Sequence, residues 1–385
     1  MRDIDAELRD LDARSLLRRR RILHGPQGAR VQVDGREFLS FCSNDYLGRA
    51  ADERLVAALV DGARRYGVGA GASHLACGHH RLHETLERRL AAFVRRPRAL
   101  LFGSGYCANL GVVSVLASAR AEVFADRLNH ASLNDGMLLA RARFRRYPHL
   151  DADALQRLLR RSKSAERIVV TDSVFSMDGD LAPLPAVAAL CERHGAWLIV
   201  DDAHGFGMLA PEGRGALAHF GVDGERVVYV GTLGKAAGVS GAFVAARHGV
   251  IELLLQRART YMYTTAVAPA LAQALLASLD IIEREQWRRD WLAMLGECFK
   301  SGLAGSRWRL LPSDSAIQAV VVGEAGTALA LSQRLEQRSI LAPAIRPPTV
   351  AVGTARLRIS LCAAHAPEDV DRLTGVLREC ERIAA

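Results

Sequence analysis

Lys235 stands in Gly231-Thr232-Leu233-Gly234-Lys235-Ala236-Ala237-Gly238, after the apolar run Val227-Val228-Tyr229-Val230 and with no charged neighbour in sequence. Arginine is the default cation of this chain, since only Lys163, Lys235 and Lys300 interrupt it among 51 basic residues. Lys163 lies in the charged run Arg160-Arg161-Ser162-Lys163 and Lys300 follows Glu297-Cys298-Phe299, both patterns of solvated helix faces. An amine in the setting of Lys235 is partly desolvated, which favours its neutral form, and an arginine could not lose its proton to become a nucleophile. A neutral lysine amine makes Schiff bases with carbonyls, pyridoxal phosphate among them. A lysine packed at a strand end, or one gripping a phosphate, is the other reading of this segment taken alone.

A second group emerges where Ile199-Val200 runs into Asp201-Asp202-Ala203-His204-Gly205. A pyridoxal ring needs a carboxylate against its pyridine nitrogen, and Asp201 is placed to supply one, with His204 three residues later near the phenolic edge. A metal site or a capping pair also accounts for Asp-x-x-His; Lys235 at the end of the next expected strand favours the cofactor. Phe102-Gly103-Ser104-Gly105-Tyr106-Cys107-Ala108-Asn109 joins a strand to a helix. Its glycines let backbone amides approach a phosphate while the helix N-terminus favours negative charge, which makes Gly105 a phosphate contact and Tyr106 a ring neighbour. The spacing of a Gly-x-x-x-x-Gly-Lys-Ser/Thr loop is not met. Thr232 offers a hydroxyl to the same phosphate, and Ser176 in Val174-Phe175-Ser176-Met177-Asp178 comes to the same rim. His130, after the strand expected at 122–125, is either a structural histidine or a flat imidazole that stacks on a planar cofactor.

These groups need strands to carry them. Short apolar runs at 99–102, 122–125, 167–171, 197–200, 227–230 and 242–246 alternate with helical stretches such as 153–161 and 184–194, the pattern of a parallel α/β sheet with its ligand at the strands' C-terminal ends. Residues 1–23 read as an amphipathic helix, and 31–41 as a strand or hairpin around Asp34-Gly35. A helical region over 269–302 leads to an α+β block with strands near 319–322 and 357–361. The division expected is an N-terminal arm over 1–48, a large domain over 49–285 and a small domain over 286–385. A chain of 385 residues with 50% hydrophobic content is ample for a core of this kind. No run of 18 uncharged apolar residues occurs and the N-terminus lacks the apolar stretch of a secretion signal, so a cytoplasmic enzyme without membrane contact is expected. Seven dispersed cysteines, never paired as C-x-x-C, argue against disulfides and against a zinc cluster, and no metal is expected. The net charge of +9 is diffuse, and the one dense run, Arg18-Arg19-Arg20-Arg21, reads as a solvated helix end rather than a nucleic-acid surface.

Five segments match the α-oxoamine synthase family of fold-type I pyridoxal phosphate enzymes in order and approximate spacing. They are Asn44-Asp45-Tyr46-Leu47-Gly48, Asp126 to Ser132, Phe175 to Asp180, Asp201 to Gly205 and Gly231 to Lys235. The resemblance covers nearly the whole chain. It implies an aspartate aminotransferase-like fold, with a large mostly parallel-sheet domain and a smaller α+β C-terminal domain, working as a homodimer. It implies an acyltransferase that condenses an amino acid with an acyl thioester and releases carbon dioxide. By the same resemblance Lys235 carries pyridoxal 5'-phosphate as a Schiff base, Asp201 pairs with the pyridine nitrogen and His130 stacks on the ring. Ser176, His204 and Thr232 hold ring and phosphate, and Gly105 and Tyr106 complete the cofactor site. Arg346 and Asn44 hold the amino acid's carboxylate, Arg18 contacts substrate from the N-terminal arm, and Thr349 lines the substrate site. Ala344 to Val350 and Gly353 to Arg358 most resemble the biotin-pathway member, which joins L-alanine to a pimeloyl thioester on acyl carrier protein or coenzyme A. A glycine C-acetyltransferase using acetyl-CoA is the alternative. Two departures stand out: Cys77 where the family often has serine, and Ala236-Ala237 where related members often have glycine. A non-catalytic pyridoxal phosphate sensor fused to a DNA-binding domain is disfavoured, because the residues before the large domain hold no helix-turn-helix pattern.

Overall fold

The computed structural model describes residues 3–383, which gather into two compact units. One comprises Asp52–Phe175 and Leu181–Gln286; the other comprises residues 3–51, Ser176–Asp180 and residues 287–383.

The first unit is built on a seven-stranded sheet. Its strands run in the order Arg98–Phe102, Ala242–Ala246, Val227–Thr232, Trp197–Asp201, Arg167–Asp172, Glu122–Asp126, Arg143–Tyr147. All neighbours are parallel except Ala242–Ala246, which is antiparallel to both of its partners. The apolar runs became strands because each can be buried on both faces: every residue of Glu122–Asp126, Val227–Thr232 and Ala242–Ala246 is buried. The strand Arg143–Tyr147 has no such run and was not expected. Four of its five residues are exposed, so only pairing with Glu122–Asp126 makes it a strand, and its arginines protect the open edge. The helix Gly105–Leu116 covers the core with Ala108, Val112 and Val113, and the helix Ala131–Ala140 adds Leu133 and Met137. The helical region expected over 269–302 is two helices, Pro269–Arg284 and Trp287–Gly302.

In the other unit a four-stranded antiparallel sheet, ordered Arg309–Leu310, Ile317–Gly323, Ala355–Ser360, Ala344–Ile345, packs with the helices Ala325–Gln337 and Pro367–Ile383. Arg30–Val33 and Arg36–Ser40 form the expected hairpin, turning at Asp34 and Gly35 with φ of 49° and 76°. Two consecutive left-handed residues are the geometry a tight hairpin turn requires. The N-terminal helix is shorter than its sequence pattern, Ile4–Ala13, and none of its residues is buried; with no apolar surface to cover, its amphipathic stripe ends at Arg14.

Candidate active site

The sheet delivers two chemical groups to the same end of two adjacent parallel strands. Asp201 closes the strand Trp197–Asp201, and Lys235 follows the neighbouring strand Val227–Thr232 by three residues. Lys235 Nζ lies 2.6 Å from His204 Nε2, so the rare lysine and the imidazole of the Asp-x-x-His segment share a hydrogen bond. Asp201 is 5% exposed and held on both oxygens: Asn109 Nδ2 donates to Oδ2 at 2.6 Å, and Ala203 N–H donates to Oδ1 at 3.0 Å.

The next residue does different work. Asp202 is fully buried and accepts from Tyr229 Oη at 2.7 Å, from Ala216 N–H at 2.8 Å and from Ser173 Oγ. Burial pushes its pKa up to about 7. The loop that carries His204 wraps this carboxyl so closely that a Cβ at Gly205 would lie 2.0 Å from Asp202 Oδ1, which is why glycine follows His204. Sequence reasoning passed over Asp202; the pairing of two aspartates with a glycine three residues on was its only trace.

The helix Gly105–Leu116 presents donors of the kind a phosphate takes. Ser104 caps it by accepting from Cys107 N–H at 3.2 Å, and the first amides of such a helix attract an anion. A Cβ at Gly105 would come within 3.7 Å of Thr232 Oγ1, so the helix start and the Thr232 hydroxyl lie side by side. Tyr106 is 44% exposed, donates its hydroxyl to Asp135 and meets the His130 ring edge to face at 6.5 Å between centroids.

His130 caps the helix Ala131–Ala140. Its backbone N–H donates to Asp172 Oδ2 at 2.7 Å, and its Nδ1 pairs with Ser132 Oγ at 2.7 Å. The outer side of the ring is open to solvent, while desolvation of its inner side lowers its pKa, Asp201 opposing and Lys235 reinforcing that shift. Asp172 is 6% exposed, and burial, with Asp201 nearby, raises its pKa well above the ordinary carboxylate range.

Gly105, Tyr106, His130, Asp201, His204, Thr232 and Lys235 thus belong to the unit of the seven-stranded sheet, whereas Arg18, Asn44, Ser176, Arg346 and Thr349 belong to the other. There Arg346 Nη1 donates to the Ser15 carbonyl, and the rest of its guanidinium has no acceptor among the described residues. Burial, reinforced by Arg18, lowers its pKa. Arg18 Nη2 lies 3.4 Å from Thr349 Oγ1. Asn44 and Ser176 are arranged by a residue that sequence reasoning left unassigned, Arg358, which is 5% exposed. Its Nη2 donates to Asn44 Oδ1 at 3.0 Å and to Tyr46 Oη at 3.1 Å, and its Nε donates to the Ser176 carbonyl. Asn44 Oδ1 is thereby spent, and its Nδ2 remains the donor for a ligand. A buried arginine inside the apolar strand Ala355–Ser360 was the available signal.

A further cluster was not anticipated. His74 Nδ1 and His79 Nδ1 lie 2.9 Å apart, and His74, His79 and His83 offer ring nitrogens within 4.8 Å of one another. Both nitrogens of His83 are occupied, Nδ1 by the His80 N–H at 3.0 Å and Nε2 by the Val267 carbonyl at 2.7 Å. The helix Arg81–Phe93 also starts beside them, and its positive end disfavours a cation.

The aminotransferase class I and II family model matches residues 36–377. The chain is 56% identical to the 8-amino-7-oxononanoate synthase of Nitrosospira multiformis over 97% of this chain and 95% of that one. It is 55% identical to the enzyme of the same name from Nitrosomonas europaea, over 98% of both. Among solved structures it resembles Sphingomonas wittichii serine palmitoyltransferase, with a TM-score of 0.93 and 30% identity over 99% of this chain and 96% of that one. It also resembles the 8-amino-7-oxononanoate synthase of Francisella tularensis, with a TM-score of 0.79 and 30% identity over 90% and 98%. No helix among the described residues is long and apolar enough to cross a membrane.

Proposed function

The chain belongs to the aminotransferase class I and II family, and from that premise we propose that it is a pyridoxal phosphate-dependent acyltransferase with the activity of the 8-amino-7-oxononanoate synthases. It condenses L-alanine with a pimeloyl thioester, carried by acyl carrier protein or coenzyme A, to give 8-amino-7-oxononanoate, carbon dioxide and the free thiol carrier for biotin biosynthesis. The observation that carries this reading is the placement of Lys235, bonded to His204, and of Asp201 at the ends of adjacent strands.

The donor set fits the cofactor: a carboxylate fixed on both oxygens, a lysine amine, and a capped helix start beside a threonine hydroxyl. Bound pyridoxal phosphate supplies an electron-accepting ring that stabilises negative charge at the amino acid's Cα. Lys235 Nζ would hold the cofactor, and its free amine would remove the Cα proton of bound alanine. Asp201 holds the proton at the pyridine nitrogen. His130 would pack against the ring, and His204, bonded to Nζ, would keep the amine in place. Thr232, Ser176 and the amides at Gly105 and Tyr106 hold the phosphate. Arg346 and Asn44 Nδ2 would grip the alanine carboxylate and fix the orientation of its Cα–H bond; Arg18 and Thr349 would border the acyl chain. The new C–C bond forms from Cα to the thioester carbonyl as the thiol carrier leaves, and the alanine carboxylate then departs as carbon dioxide while Cα takes back a proton in its place.

A homodimer accords with exposed apolar side chains on the sheet unit, Leu138, Leu139 and Tyr263, and predicts a solution mass near twice 41.8 kDa by light scattering. Cysteines that are all free among the described residues accord with the reducing cytoplasm. Mass spectrometry of reaction products tests the substrate reading. Alanine with pimeloyl thioester should yield 8-amino-7-oxononanoate, and borohydride should fix the cofactor on Lys235. Efficient formation of 2-amino-3-oxobutyrate from glycine and acetyl-CoA, with no product from alanine, would assign a glycine C-acetyltransferase instead.

A further inference from the structure

Asn109 is a buried amide in the middle of a mostly apolar helix, 1% exposed, and no chemistry has been assigned to it. Its amide nitrogen makes two bonds, one to Asp201 Oδ2 at 2.6 Å and one to Ser132 Oγ at 2.9 Å. Its Oδ1 is buried without a hydrogen-bond partner among the described residues. An amide that leaves its oxygen unsatisfied inside a core is destabilising, so this side chain is kept for its two N–H groups.

The order of donors along the chain is forced. Asp201 is an acceptor, so Asn109 cannot turn its oxygen toward it without placing acceptor against acceptor. Both amide hydrogens are therefore spent, one on Asp201 and the other on Ser132 Oγ. Ser132 Oγ, already accepting, directs its own hydrogen to His130 Nδ1 at 2.7 Å, where the Ser132 N–H also points at 3.3 Å. His130 Nδ1 receives two donors and carries no proton, which puts the ring proton on Nε2, outward.

We infer that Asn109 is a positioning residue that couples the Asp201 carboxylate to the His130 imidazole through Ser132, so that the group at the edge of the cofactor ring and the group on its face are held as one unit. The inference rests on the cofactor roles of Asp201 and His130 given above. Neither side chain touches the other, and one helix side chain sets the orientation of both.

The test uses the full-length protein without cofactor, labelled with ¹⁵N-histidine, the His130 signals being assigned by their loss in His130→Gln. Wild type should show a neutral imidazole protonated at Nε2. Asp201→Asn should move the His130 Nδ1 resonance, because an amide at 201 lets Asn109 turn and frees the Ser132 hydroxyl. In an Asn109→Ala background, the same Asp201→Asn change should move His130 far less, leaving only the direct effect of the lost Asp201 charge. Ser132→Ala, which retains the contact between Asn109 and Asp201, should reduce the response to the same level and decides the matter if Asn109→Ala does not fold. With cofactor, Asn109→Ala should lower kcat with alanine by about tenfold with little change in KM. A His130 response to Asp201→Asn that is undiminished in both backgrounds, or that is absent from wild type, overturns the coupling. These readouts need no substrate. Failure to make 8-amino-7-oxononanoate alongside an intact coupling would remove the substrate reading and leave this one standing.

Discussion

Two groups of histidines in the sheet unit differ in one respect. His74, His79 and His83 are packed close, yet His83 has both ring nitrogens bound by backbone, and His74 stacks flat on Tyr261 at 4.9 Å between centroids. His130 uses Nδ1 alone, and its Nε2 has no hydrogen-bond partner among the described residues. His83 spends both nitrogens on the start of the helix Arg81–Phe93 and on the Val267 carbonyl, and His74 and His79 pair with each other; His130 keeps one nitrogen in reserve. Proximity of ligand-type side chains therefore distinguishes less than the donors and acceptors left over after folding.

The largest effect should come from Lys235→Ala, which on the proposed reading removes both the point of cofactor attachment and the base. Turnover should fall by ~10²–10⁴-fold or more while thermal unfolding stays near wild type. Residual activity near wild type would erase the contrast between a chemical group and a structural one. Asp201→Asn should bind cofactor but exchange the alanine Cα proton roughly ten to a hundred times more slowly, as the loss of a charged contact predicts, and proton exchange followed by NMR measures it.

Arg346→Lys should act more mildly, raising KM for alanine by about tenfold, because an ammonium cannot reproduce the fork of a guanidinium. An unchanged KM would detach Arg346 from the amino acid. On the structural side, His83→Ala should leave the Val267 carbonyl and the His80 N–H unsatisfied and cost about 1–3 kcal/mol in urea unfolding, with the cofactor's absorbance retained. A loss of cofactor binding without loss of stability would reverse the roles assigned to the two groups.

The smallest effect is on pH dependence. Burial lowers the pKa of His74 to about 3 and that of His83 to about 4. Below pH ~6.5 the unfolded chain binds protons that the folded chain refuses, so stability should fall as pH drops from ~6.5 toward 4. His74→Gln should lose less stability than wild type between pH 7.5 and 5. Asp202 has the opposite sign: with its pKa raised to about 7, the folded state keeps a proton that the unfolded state has lost, and its contribution declines from pH ~4 to 7.

The sheet was legible because buried parallel strands must be apolar on both faces, and Lys235, Asp201 and His204 were legible because they interrupt or end such runs. Arg143–Tyr147 was not, since an edge strand with four exposed residues has no apolar period to read. The antiparallel course of Ala242–Ala246 was hidden for a related reason: a short, fully buried strand has the same composition in either direction.

By itself the sequence determined which groups exist to do chemistry: one lysine outside the solvated runs, a carboxylate at a strand end, and a capped glycine turn before a helix. Local composition fixes these, because desolvation, strand burial and helix capping act over a few residues. Only the tertiary structure decided how the groups are held. Asn109 reaches Asp201 and Ser132 across 92 and 23 residues, and Arg358 reaches Asn44 across 314. Hydrogen bonds between residues so far apart depend on strand order and helix packing, which no local pattern encodes. The same holds for Asp201 and Asp202, identical neighbours with different partners: Asp201 accepts from Asn109, whereas Asp202 accepts from Tyr229 and Ala216.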